Sequence, residues 1–219
     1  MQTWNLSETN YGQVKARSFE VAVLPLGATE PHNLHLPYGT DTYQVETVGR
    51  LACEKAHEKG ARVALLPAIP YGTETNQMRF PMAMNLDPST LARVIADLVD
   101  SLATHGVLKC VLLNGHGGND LKWILRELHL KTPVRLFVVH WWKLAADRYQ
   151  EIFDDPGDHA GELETSMILA HRPDLVAVAR EKREPGTACQ PRYSPQMPGN
   201  HPPAEGGAFE NVQAAKSLW

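Results

Sequence analysis

The sequence predicts an α/β fold: a mainly parallel central sheet with helices on both faces. Three observations lead there. Apolar runs of strand length recur at Phe19–Leu26, Arg62–Ile69, Val107–Leu113 and Val134–Val139. Amphipathic stretches of helical period separate them. Glycine, proline, asparagine and aspartate mark the joints. Strands alternating with helices at this spacing imply βαβ units, hence parallel strands. In open sheets of that type, ligands gather at the carboxyl ends of the strands.

Taken in order, the first eighteen residues are polar and aperiodic, and are expected at the surface or an interface. Phe19–Leu26 is the first strand. The stretch LPLGATEPHNLHLPYGTD, Leu24 to Asp41, follows directly and holds Glu30, His32, His35 and Asp41. Thr40 or Asp41 opens a helix to about Lys59, with Val45, Val48, Leu51 and Ala52 on one face and Gly60 as the stop. Arg62–Ile69 is the second strand, and Thr73–Leu86 is a loop long enough to suggest function. Asp87 followed by Pro88 starts the next helix, whose stripe runs Leu91, Val94, Ile95, Leu98, Val99 and Leu102. Val107–Leu113 runs into Asn114-Gly115-His116-Gly117-Gly118-Asn119, and Asn119 or Asp120 caps a helix to about Leu130. Val134–Val139 leads to His140-Trp141-Trp142. After an acidic segment, His159-Ala160-Gly161 precedes a helix from Glu162 to about His171. Residues 1–219 are read as a single domain. Its Pro- and Gly-rich C-terminal arm, from about residue 184, is expected to be extended or to cover the site.

Composition narrows the partners. A chain of 219 residues with 43% apolar and 21% charged residues suits one globular domain with a real core. A net charge of −4 and a pI near 6.2 argue against nucleic acid or an anionic membrane. No apolar run reaches membrane-span length and the N-terminus lacks a signal pattern, so the cytoplasm is expected. Cys53, Cys110 and Cys189 form neither a disulfide framework nor a CxxC pair.

Three segments carry candidate chemistry. Glu30 and His32, two residues apart after a strand, share one face if the chain stays extended. Carboxylate and imidazole together suit a divalent metal such as zinc, manganese or iron. His116 sits in a glycine-rich turn after the third strand, suited to metal ligation or to an anion-binding nest. The Walker-type phosphate loop is excluded, because no Lys-Ser/Thr follows the glycines. Neither an HExxH zincin motif nor a GxSxG elbow is present. His159, Glu162 and Glu164 begin a helix, and Glu162 and Glu164, two apart, face different ways. Tyr71, Phe80, Trp141 and Trp142 are candidates to line a pocket. His35 is a candidate orienting partner for a ligand.

The stretches GATEPHNLHLPYGTD, NGHGGN and HAGELETS, with the loop IPYGTETNQMRFP, resemble the creatininase (creatinine amidohydrolase) family in order and spacing. The resemblance covers most of residues 19 to 178 and points to the broader NGHGGN-type membership, not to creatininase itself. It implies a three-layer α/β/α metal-dependent hydrolase with two divalent ions, commonly assembled as a homo-oligomeric hexamer. By position, Glu30, Asp41 and His116 would bind one ion. His32 and Asp41 would bind the other, with Asp41 bridging. Creatininase completes its second site with a Glu two residues after the motif histidine. Here that position is Gly118, so Glu164 is expected to substitute, with Glu162 in reserve or catalytic.

The tyrosine that follows that histidine in creatininase is Gly117 here. The covering tryptophan has no counterpart between Phe153 and Asp158. A creatinine pocket is therefore not expected, although Tyr71, Gly117, Gly118 and Trp141 remain candidates to touch substrate. His159 is the expected proton donor to a leaving nitrogen. Asn114 and the Gly117–Gly118 backbone are expected to stabilise an oxyanion. The implied reaction is hydrolysis of an amide, cyclic amide or formamide in a small molecule. The alternatives are a deformylase or peptidase, or a non-catalytic binding protein.

Overall fold

The computed structural model describes residues 3–154 and 157–177. The arm expected from about residue 184, and Cys189 with it, lie outside the described residues. Four parallel strands, β1 (Val21–Leu26), β2 (Val63–Leu65), β3 (Lys109–Asn114) and β4 (Arg135–His140), form one sheet in the order β2-β1-β3-β4. Six α-helices accompany them: α1 (Tyr11–Lys15), α2 (Thr40–Glu58), α3 (Pro88–Thr104), α4 (Lys122–Leu128), α5 (Tyr149–Ile152) and α6 (Glu162–His171).

The pleat of β1 sorts its side chains. Ala22, Leu24 and Leu26 join Leu91, Ile95 and Val99 of α3 and Ile124 of α4 in the main core. Pro25, on the opposite face, meets α2 at Gly49, which also lies against Leu65 and Leu113. Cys53 of α2 packs with Val63, Leu65 and Trp4 on that side. Ile168 of α6 packs with Leu36, Ala160 and Tyr43 beside it. Helices therefore cover both faces of the sheet, which gives the expected three-layer α/β/α arrangement. Each large apolar side chain so buried contributes about 1.5–3 kcal/mol relative to exposure.

The strand order places the site. From β1 the chain passes through α2 to β2 on one side, then through α3 to β3 on the other. The carboxyl ends of β1 and β3 therefore flank the point where the winding reverses. Leu26 pairs with Asn114, and Asn114 with His140, so the three strand ends lie level.

Two expectations are corrected. The second strand is three residues long: the Leu66 N–H still donates to the Val23 carbonyl at 2.9 Å, but the next donor on β1 would be Pro25, which has no N–H for the ladder. The chain rejoins β1 through the Ile69 N–H on the Pro25 carbonyl at 3.0 Å. The first eighteen residues are not merely superficial. Trp4 is buried and its carbonyl accepts the Leu65 N–H at 2.8 Å. A capping box between Asn10 and Gln13 then starts α1. A single anchoring tryptophan leaves no period to read.

Candidate metal centre

Beyond β1 the chain curls instead of staying extended. The Glu30 N–H donates to the Tyr38 carbonyl at 3.2 Å, and Asn33 turns it with a φ of 55°. This curl sends both Glu30 and His32 inward, towards the first turn of α2, where Asp41 sits. A carboxylate there also favours the positive end of the helix dipole. The third segment approaches through Gly115. A Cβ at that position would lie 2.7 Å from Val45 Cβ and 2.9 Å from the Asp41 carbonyl, so only glycine lets β3 end this close to α2. His116, the next residue, is thereby set beside Asp41.

The two carboxylate oxygens of Asp41 face different imidazoles. Oδ1 is 3.2 Å from His32 Nε2, and Oδ2 is 2.9 Å from His116 Nδ1. Glu30 Oε1 lies 3.1 Å from His116 Nδ1 and 3.9 Å from His32 Nε2. Glu164 Oε2 lies 3.7 Å from His32 Nε2, and its orientation comes from the turn before α6. There Ala160 adopts a φ of 51° and its N–H donates to Glu164 Oε2 at 2.5 Å. His159 enters from the same turn. Its Nε2–H donates to the Pro31 carbonyl at 2.8 Å, leaving Nδ1 3.8 Å from Glu30 Oε1. The rings of His32 and His159 stack with centroids 4.4 Å apart.

Each buried imidazole is oriented from behind. His32 Nδ1 bonds to the Glu30 carbonyl at 3.1 Å, so Nε2 faces the carboxylates. His116 Nε2 bonds to the Thr73 carbonyl at 3.2 Å and lies against Glu74, so Nδ1 faces Glu30 and Asp41. The Asn114 side chain is consumed internally. Its amide donates to the His116 carbonyl at 2.7 Å and to His140 Nδ1 at 3.0 Å. Its oxygen accepts from the His116 N–H at 3.3 Å and from Asn119 Nδ2 at 3.0 Å. Nor does Asn119 cap the following helix: its oxygen accepts the Thr73 N–H at 3.1 Å. The NGHGGN turn is thus tied to the loop after β2.

Glu74, on that loop, was not among the sequence candidates. Its relative exposure is 0%. Only its place in the acidic IPYGTETNQMRFP loop hinted at a role. Gly118 explains why no side chain reaches the centre from its own position. A Cβ there would lie 2.4 Å from both His116 Nε2 and the Thr73 carbonyl.

The remaining candidates are dispersed. Glu162 faces away from Glu164, as their spacing requires, and accepts the Asp154 N–H at 3.0 Å. His35 does not join the cluster but bonds Thr165 Oγ1 at 2.8 Å, beside Glu164. Tyr71 and Gly117 are exposed, and a Cβ at Gly117 would meet nothing within 4 Å. Trp141 is half-buried at the end of β4 and packs edge-on against Trp142, with centroids 6.3 Å apart. Among the described residues, no hydrogen bond or ring contact is recorded between Trp141 and the cluster.

The electrostatics suit a cation. Burial alone would raise Asp41, but the His32 charge, the closeness of His116 and the bond from His32 hold it at about 2. Burial likewise opposes ionisation of Glu30 and Glu164, and His116 and His32 respectively pull them below the usual carboxylate range. Burial depresses His32, yet Asp41 and Glu164 lift it well above its ordinary value. His116 is lifted in the same way by Asp41, Glu30 and Glu74. Burial pushes the Glu74 carboxyl up to about 8. Carboxylates that draw protons onto two buried imidazoles will draw a small divalent cation as well.

The donor geometry agrees. Glu30 with His32 and His159, Glu30 with Glu74 and His116, and His32 with Asp41 and Glu164 each bring ligand atoms within 4.8 Å of one another. Asp41 Oδ2 is buried without a hydrogen-bond donor. Oxygen and imidazole donors in this mixture fit zinc, manganese or iron.

Comparison with known proteins agrees with this picture. The family model for creatininase, described as creatinine amidohydrolase, matches residues 5–216. The creatinine amidohydrolase of Pseudomonas putida is 30% identical over 192 residues, 78% of this chain and 72% of that one. The mycofactocin precursor peptide peptidase of Mycobacterium ulcerans is 29% identical over 165 residues, 72% of this chain and 61% of that one. A manganese creatininase structure superposes with a TM-score of 0.67 at 27% identity, covering 86% of this chain and 80% of its own. A mutant creatininase of Zn-Zn type gives 0.62 at 29% identity, covering 78% and 74%. With a family match along nearly its whole length, the chain belongs to the creatininase family of hydrolases.

Proposed function

We propose that this chain is a metal-dependent amidohydrolase that cleaves a C–N bond of an amide, cyclic amide or formamide in a small molecule. The observation that carries the reading is Asp41, whose two oxygens each face a different buried imidazole. Such a carboxylate is arranged to bridge two cations. Glu30, Asp41 and His116 would hold one, and His32, Asp41 and Glu164 the other. Divalent ions there would supply Lewis acidity, acidifying water and drawing electrons from a substrate carbonyl.

The chain's own residues do the rest. The Glu30 carbonyl and the Thr73–Glu74 loop fix the imidazole tautomers. Asp41, Glu30 and Glu164 hold negative charge at the centre. His159 Nδ1, the nitrogen left free by the bond of Nε2–H to the Pro31 carbonyl, would pass a proton to the departing nitrogen. Glu162 is retained only as a reserve participant, because it is turned towards Asp154. The family resemblance also suggests a homo-oligomer, a hexamer in its usual form, which size-exclusion chromatography with light scattering would test.

A peptidase or deformylase reading has one specific support: the mycofactocin precursor peptide peptidase relative. A panel of cyclic amides, formamides and short peptides separates the two.

The test of the main reading is metal content per chain, with turnover, for the parent, Asp41→Ala and Glu164→Ala. Two ions in the parent, about one in Glu164→Ala and loss of both metal and turnover in Asp41→Ala are expected. Retained turnover in a folded Asp41→Ala would sink it.

A further inference from the structure

The loop after β2 puts a carboxylate where none was anticipated. Glu74 is fully buried, its Oε1 lies against His116 Nε2, and neither of its oxygens has a hydrogen-bond partner among the described residues. Burying such a group without full satisfaction costs free energy unless it has a task. Nothing about the loop's own folding requires it. The backbone there is held by the Thr73 N–H on Asn119, the Glu74 N–H on Asn85 Oδ1 at 2.7 Å, and the Leu86 N–H on the Gly72 carbonyl at 2.8 Å. All of these bonds are independent of the Glu74 side chain.

The side chain faces His116, with Glu30 on the other side of it. His116 has two ring nitrogens, and only one can point its lone pair at the centre. The Thr73 carbonyl accepts at Nε2, on the far side of the ring, and Glu74 Oε1 lies against the same nitrogen. Nδ1 lies 3.1 Å from Glu30 and 2.9 Å from Asp41. We infer that Glu74 is a positioning residue: it accepts the Nε2–H of His116, fixes the ring's tautomer and tilt, and so presents the Nδ1 lone pair between Glu30 and Asp41. The inference rests on the metal-dependent reading above and adds to it a partner that binds no substrate. A carboxylate behind a ligating imidazole also makes that imidazole a better donor. Gly118 is the complement of this arrangement, since any Cβ there would occupy the space that His116 Nε2 and Thr73 share.

The test uses full-length protein stripped of metal and titrated with zinc alone, for the parent, Glu74→Ala and Glu74→Gln. In Glu74→Ala the affinity for one of two ions should fall roughly 10- to 100-fold. The other ion, on the His32 and Glu164 side, should stay at parental affinity. Glu74→Gln keeps an acceptor oxygen in the same place and should recover most of the loss. Nitrogen-15 NMR of the zinc-loaded parent should show His116 protonated at Nε2 and metal-bound at Nδ1, and Glu74→Ala should show that signature weakened or exchanging.

Parental affinity for both ions in Glu74→Ala would overturn the inference. So would a Glu74→Gln variant as impaired as Glu74→Ala, which would make Glu74 a direct ligand. If Glu74→Ala does not fold, Glu74→Gln and the His116 signature decide alone. A parent that binds no zinc would remove the functional reading, whereas a zinc-binding parent matched by Glu74→Ala would remove only this one.

Discussion

Asp41, His116 and Gly118 show how far single residues decide this centre. Asp41 can face two imidazoles because it stands in the first turn of α2, with one imidazole on each side. Gly118 gives the clearest contrast with its neighbour. Gly118→Ala drives a methyl group onto His116 Nε2 and the Thr73 carbonyl, and should lower zinc affinity severalfold or more while thermal unfolding stays cooperative. Gly117→Ala places a methyl group in open space and should bind zinc as the parent does. Isothermal titration of the two variants side by side checks both. The clustering of Glu30, His32, Asp41 and His116 was legible in the sequence, because short spacing and strand-end position both point to one rim. Glu74 was not, since its partner His116 is reached only through the Asn119–Thr73 bond. The Asn114 side chain was equally hidden: its amide looks free in a sequence, but in the fold it bonds within the turn and to His140 at the end of β4.

At the scale of elements, patterning predicted the strands and long helices well, and caps less well. α2 has Gly39 at its N-cap and α3 gains no side-chain bond from Asp87, although both starts were foreseen. Helix entry here is set by packing, not by a capping hydrogen bond. The short β2 followed from Pro25 on the neighbouring strand, and α1 from a capping box too brief to show a period. The β3–β4 pair adds a pH dependence. Burial, with help from the Lys143 charge, pulls His140 down to about 4, and its Nδ1 accepts from Asn114. An unfolded histidine titrates near 6.5. The unfolded chain therefore binds the extra proton first as pH falls. The contribution of neutral His140 is complete above about pH 6.5 and is lost as pH drops towards 4. Urea midpoints across that window should fall for the parent and fall less steeply for His140→Gln.

For the whole molecule, the proposed ligands come from the loop after β1, from α2, from the turn after β3 and from α6. A cation held by all of them ties together segments from across the domain. Free zinc at a hundredfold excess over its dissociation constant should therefore raise unfolding free energy by about 2.7 kcal/mol. A chelator should remove the gain, and Asp41→Ala should show none. Calorimetry with and without zinc measures it. Three-layer architecture and site location were legible together, because alternating strands and helices fix where the winding reverses. Substrate choice was not, because loop residues such as Leu34, Tyr71 and Met82, all exposed, follow no pattern that periodicity can read.

The parallel pairing of β1 with β3 has a consequence for how the protein is made. Ala22 aligns with Cys110 only after two helices and an intervening strand have been laid down between them. Contacts so distant along the chain close slowly. Glu30 and His116 hang from those two strand ends and cannot meet earlier. During synthesis, the nascent chain therefore carries its acidic and imidazole groups as separate, weakly binding fragments. On the proposed metal-dependent reading, high-affinity metal capture would be a late event, timed by the closing of the sheet.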